Sequence, residues 1–88
     1  MQLEVGSIVL SKAGRDKGKY LVVVASACGY ALLCDGGERP IQRPKRKSLK
    51  HIEDTQEKLS LAQMRGNSAL KKALAAFDRT QREVIKHV

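Results

Sequence analysis

Aromatic residues are scarce in this sequence. They make up 3% of its 88 residues: two Tyr, one Phe and no Trp. Proteins that read single-stranded nucleic acid stack bases on several exposed rings, so that mode of recognition has too little to build on. Cysteine is scarce as well. Cys28 and Cys34 lie six apart with no second pair, and His51 and His87 stand alone. Zinc ribbons and fingers need close ligand pairs, so neither a metal nor any other cofactor is expected. The spacing allows a Cys28–Cys34 disulfide, but a cytosolic chain keeps both thiols reduced. The simpler reading is two small core or strand residues.

Long apolar runs are missing too. The longest, residues 20–28, is strand-sized and far short of the roughly 20 residues that cross a bilayer. Met1-Gln2-Leu3-Glu4-Val5 lacks a basic segment followed by an apolar one, so no signal peptide is expected and the default location is cytoplasmic. No Ser/His/Asp or Cys/His constellation occurs at a workable spacing. Gly18-Lys19 is followed by Tyr20, not by the Ser or Thr of a nucleotide-binding loop, and no helix follows it. At 9.7 kDa the chain has little room for a deep pocket. Neither an enzyme nor a small-molecule substrate is expected.

What is present is positive charge. Seventeen Lys and Arg stand against nine Asp and Glu, a net charge of +8. A field of that size on a small body attracts nucleic acid or an anionic surface. The charge is concentrated. Arg39, Arg43, Lys45, Arg46, Lys47 and Lys50 fall in one stretch without an acid, and Arg15, Lys17 and Lys19 form a smaller cluster diluted by Asp16. A solvated face is the ordinary explanation of a charge run. A basic run between two apparent strands favours binding instead.

The first half of the chain reads as strands. Ile8 and Leu10 share a face of the first, residues 6–10. Residues 20–25 are almost continuously apolar and β-branched, the mark of a strand buried on both faces. Residues 30–34 form the third. The connection from 26 to 29 is short enough for a hairpin, and Asp35-Gly36-Gly37 is a hairpin signal. Pro40 confines residues 38–41 to a sheet edge, and 48–52 read as a last strand. Five short strands in about fifty residues point to a small closed or half-open β-barrel.

The second half changes period. Asp54-Thr55-Gln56-Glu57 has the spacing of a capping box. It predicts a helix from Asp54 to about residue 65, stopped by Gly66. A second helix capped by Asn67 or Ser68 then places Leu70, Ala73, Leu74, Phe77, Val84, Ile85 and Val88 on one face, with Lys71, Arg79, Arg82 and Lys86 opposite. Asp78 stands four before Arg82 for a surface pair. The expected organisation is mainly β with an α tail: a small barrel over residues 1–53 and a helical hairpin over 54–88.

The stretch Val5-Gly6-Ser7-Ile8-Val9-Leu10-Ser11-Lys12-Ala13-Gly14-Arg15-Asp16-Lys17-Gly18-Lys19-Tyr20-Leu21-Val22-Val23-Val24 resembles the KOW motif of ribosomal proteins and transcription elongation factors. In that motif two strands flank a basic loop with a fixed glycine, matched here by Gly18. Asp35-Gly36 fits the family's ending. Pro44-Lys45-Arg46-Lys47-Ser48-Leu49-Lys50-His51-Ile52 looks like the barrel tail of short bacterial KOW proteins, which are similar to a large-subunit ribosomal protein of the archaeal and eukaryotic type. The resemblance covers roughly residues 4–55. It implies an SH3-like barrel of about five strands and an RNA-binding, ribosome-associated role in translation, as part of a ribonucleoprotein.

The residues expected to meet RNA are Lys12, Gly14, Arg15, Lys17, Gly18 and Lys19 in the first loop, and Arg43, Lys45, Arg46, Lys47 and Lys50 in the second. Glycines let backbone amides approach phosphate oxygens, and the flanking bases add charge. With Tyr20 and Tyr30 as the only other rings beside Phe77, recognition should be of backbone and shape. The alternative is a protein-interaction module, with the barrel or the C-terminal helices docking on a ribosomal or transcription protein.

Overall fold

β-branched and aliphatic runs in the first half form the strands they predict. The computed structural model describes residues 3–86, with side chains through Glu83. Strands β1 (Ser7–Ser11), β2 (Tyr20–Ala27), β3 (Tyr30–Cys34), β4 (Lys45–Ser48) and β5 (Ile52–Lys58) make one antiparallel sheet in the order β4-β3-β2-β1-β5. A single helix, α1 (Asn67–Lys86), follows. No helix among the described residues is long and apolar enough to cross a membrane.

β2 lies at the centre, and of the apolar run expected to be buried on both faces Leu21, Val22 and Val23 are buried, while Tyr20 and Val24 are half-buried and Ala25 is exposed. Leu21 and Val23 point to one side, with Val9, Ala31, Leu33 and Ile52, edged by Leu3 and Leu49. Val22 points to the other, with Ile8 and Cys34, where Leu70 and Leu74 of α1 cover it. The two-residue Cys28-Gly29 turn joins β2 to β3 across the Ala27–Tyr30 pair. Cys34 is fully buried and Cys28 is exposed, and both are free thiols. Burial, and secondarily the nearby Asp35 carboxylate, push the Cys34 thiol up to about 11.

The expected barrel is found only as an open sheet. The one-turn 3-10 segment Leu49–His51 carries the chain from β4 at one edge to β5 at the other, and those edges are not paired. The strand expected at 48–52 therefore gives way to this turn. The expected edge strand at 38–41 is a loop. There the Asp35 carboxylate accepts the Gly37 and Arg39 amides at 2.8 and 2.9 Å, and Pro40 accepts the Arg43 amide.

The expected helical hairpin is also corrected. Its first helix is replaced by β5 and a short 3-10 turn at Ala62–Met64. The boundary expected after residue 53 falls inside β5. The Asp54 side chain accepts the Gln56 amide at 2.8 Å, and Thr55 Oγ1 accepts the Glu57 amide while donating to the Ile8 carbonyl at 2.7 Å. Gln56 takes a left-handed φ of 67°, where the β1–β5 register shifts. A short polar side chain that accepts an amide two residues on serves a bulge as well as a helix cap. β1 offers that bulge an edge to pair with.

The second expected helix is present. Leu70 and Leu74 are buried, Ala73 and Phe77 are half-buried, and Lys71, Arg79 and Arg82 are exposed. Asp78 and Arg82 form the expected pair at 3.2 Å. The side chains of Val84, Ile85, Lys86 and Val88 lie outside those described. Asn67 ties α1 down: its Oδ1 accepts the Ile41 amide and its Nδ2 donates to Gln42 Oε1, both at 2.8 Å.

Candidate nucleic-acid interface

The β1–β2 loop is shaped by its own backbone. The Ser11 amide donates to Lys19 O, Gly18 to Ser11 O, Lys19 to Asp16 O, and Lys17 to Gly14 O. Gly14 and Gly18 take φ of 84° and 87°, a region that costs other residues energy. The loop's own closure thus consumes the amides of Lys17, Gly18 and Lys19, and these do not point at a partner. The Gly14, Arg15 and Asp16 amides have no acceptor among the described residues.

The centre of the site is Asp16, which the sequence alone presents as a lone acid among bases. Its Oδ1 accepts Ser11 Oγ at 2.7 Å and Lys47 Nζ at 2.6 Å, and its Oδ2 lies 3.5 Å from Lys45 Nζ. Lys47 Nζ also donates to the Ala13 carbonyl at 2.7 Å. Lys47 is 7% exposed. Two of its three ammonium protons are thereby engaged, so it acts as a brace between β4 and the loop. Burial by itself would raise the Asp16 carboxyl. Hydrogen bonds from Lys47 and Ser11, with the charges of Lys47 and Lys45, outweigh it and hold the group down at about 2.

This depression sets a pH dependence. Above its ordinary value of 3.8 the carboxylate is ionised in folded and unfolded chains alike, and its full stabilisation is present. As pH falls toward about 2 the unfolded chain takes up the proton first, and the stabilisation is lost. Between pH 5 and pH 2 the advantage of the native protein over Asp16→Asn is expected to shrink by about 2 kcal/mol. Urea unfolding of both proteins across that range measures it, and a constant difference refutes it.

The brace joins the two basic segments. The Lys12 amide donates to the His51 carbonyl at 2.8 Å, which brings exposed Lys50 beside the loop. Arg15 and Lys17 are exposed on the loop itself. On β4, Arg46 is exposed and stacks its guanidinium 4.1 Å from the Tyr30 ring centroid. Lys45 is half-buried beside Asp16. Lys19 pairs with Glu38 at 3.7 Å, and Arg43 is exposed on the β3–β4 loop. Neither is tied to the Asp16 cluster.

Tyr20 packs edge-on against Phe77, with ring centroids 5.0 Å apart, and Tyr30 is covered by Arg46. No cluster of three or more His, Cys, Asp or Glu suited to a metal occurs among the described residues. No protein-family model and no curated protein matches the chain.

Proposed function

We propose that this chain is a non-enzymatic RNA-binding protein of the KOW class that associates with the ribosome and grips the phosphate backbone of structured ribosomal RNA. The strand order is compatible with an SH3-like barrel, the architecture that the KOW resemblance implies. The observation that carries the reading is the Asp16–Lys47 ion pair. It fastens the glycine loop to the basic strand β4, so that Lys12, Arg15, Lys17, Arg46 and Lys50 present their charge from adjoining segments. A rigid array loses little side-chain and loop freedom on binding. The pairing of both free-standing tyrosines within the protein favours phosphate contacts over base stacking.

The test is fluorescence anisotropy with a labelled RNA hairpin over a potassium chloride series. Four to six phosphate contacts correspond to a logarithmic salt slope on the order of −3 to −5. Replacing Arg15, Lys17 and Arg46 together by Glu should weaken binding on the order of a hundredfold with the fold retained. Lys45 and Lys47 are left intact because they hold Asp16. A salt-insensitive complex, or a triple variant that binds like the native protein, overturns the reading. Cosedimentation with ribosomes at low salt tests the association itself.

A further inference from the structure

A groove of about 340 Å³ runs between the end of the β1–β2 loop and α1. Gly18, Lys19 and Tyr20 form one bank, and Lys71, Leu74 and Arg82 form the other. Its size is at the lower end of small-ligand clefts, but it is open and its rim is charged. Three cations line it, against the carboxylates of Asp35 and Asp78, and Lys19 is also held by Glu38 in an exposed pair at 3.7 Å. Asp35 is committed to its own turn, where it accepts two amides. Asp78 is held by Arg82, in an exposed pair of the kind that contributes little and opens readily. Lys71 has no ion-pair partner among the described residues.

The groove is open on its loop side: a Cβ added to Gly18 would have no atom within 4 Å. A Cβ added to Gly37 would lie 3.9 and 4.0 Å from Lys71 Cε and Cδ. The Lys71 stem thus lies beside the turn at 35–37 at ordinary van der Waals distance, and Lys71 lines the groove.

We infer that the groove is a second RNA track, in which a phosphate of the bound RNA beyond the loop is taken by Lys71, with Lys19 and Arg82 flanking it. This rests on the RNA-binding reading above. The strand leaves the Arg15 and Lys17 phosphates, passes Gly18, and enters between the loop and the helix. Asp78 opposes it, both by its own charge and by engaging Arg82. The C-terminal helix thereby covers one face of the sheet and also extends the nucleic-acid surface.

The experiment uses the same labelled hairpin and salt series. Lys71→Met keeps the aliphatic stem and removes only the charge. It should weaken binding about fivefold and reduce the magnitude of the salt slope by about 0.7 to 0.9, the value of one phosphate contact. Lys72→Met removes an equal charge from an exposed position of α1 that does not line the groove, and should leave both quantities near the native values. Asp78→Asn should strengthen binding about threefold, a gain that loss of structure does not produce. The unfolding midpoint of each variant is measured alongside. The inference is overturned if Lys71→Met behaves as Lys72→Met does, or if Asp78→Asn brings no gain, while the Arg15/Lys17/Arg46 variant still loses binding. If that triple variant also binds normally, the RNA-binding reading has failed and the track falls with it.

Discussion

Asp16→Ala is expected to destabilise the protein by about 3–5 kcal/mol, the usual effect of removing one partner from a buried ion pair. The substitution leaves the Lys47 ammonium at the same depth with the Ala13 carbonyl as its remaining acceptor. It also removes the acceptor of Ser11 Oγ on the Asp16 side. Domains of this size have only about 5–15 kcal/mol in total, so the variant should unfold at much lower urea, followed by circular dichroism. The double substitution Asp16→Ala with Lys47→Met should recover most of the loss, since an apolar stem in place of the pair removes the uncompensated charge. A loss below about 1 kcal/mol in the single variant would show that the pair is no stronger than a surface contact, and would remove it as the brace of the interface.

Gly36→Ala should be comparably severe, through geometry alone. Gly36 has a φ of 81°, and a Cβ there would sit 2.3 Å from the Asn67 carbonyl oxygen and 2.9 Å from the Lys71 amide nitrogen. Both are backbone atoms of the first turn of α1, so no side chain can swing aside. The helix must lift, and with it the cover that Leu70 and Leu74 provide for Ile8, Val22 and Cys34. Each such leucine contributes about 2 kcal/mol by burial, so an expected loss above about 3 kcal/mol follows. Gly29 is the matched control. It has the same φ of 81°, yet a Cβ there would meet nothing within 4 Å. Gly29→Ala should cost about 1 kcal/mol, the backbone strain by itself. Equal losses at the two positions in urea unfolding would sink the claim that helix contact makes Gly36 irreplaceable. Hydrogen exchange in α1 should rise in Gly36→Ala and not in Gly29→Ala.

Strands β1 to β3 and the apolar face of α1 are written in side-chain pattern, because burial there follows hydrophobicity along the chain. β4 is hidden for the opposite reason. Its inward position is Lys47, a residue that reads as solvent-exposed, and the carboxylate that makes its burial tolerable stands thirty-one residues earlier. Spacing along the chain carries no trace of that pairing. The misreading of β5 is local: Asp54 and Thr55 offer the same acceptors to a bulge as to a first helical turn, and the edge of β1 decides between them. The basic segments of the candidate interface are legible as charge. Which bases are free and which are spent is not, since Lys47 and the Gly18 amide are consumed by contacts that only the fold creates. Asp16 leaves one faint signal, a single acid flanked by Arg15 and Lys17.

The position of β1 between β2 and β5 also imposes an order of events on a growing chain. One side of β1 finds its partner as soon as β2 exists. The other stays an unpaired edge until residues 52–58 have been made, and the face bearing Ile8, Val22 and Cys34 stays bare until Leu70 and Leu74 arrive. At cellular synthesis speeds of about 5–20 residues per second, that interval lasts roughly a few seconds. During it the half-built sheet offers both an open strand edge and an oily face. The dense positive charge of the segment at 39–50 is added midway, and like charge on neighbouring nascent chains opposes their association during the seconds when they are most able to stick.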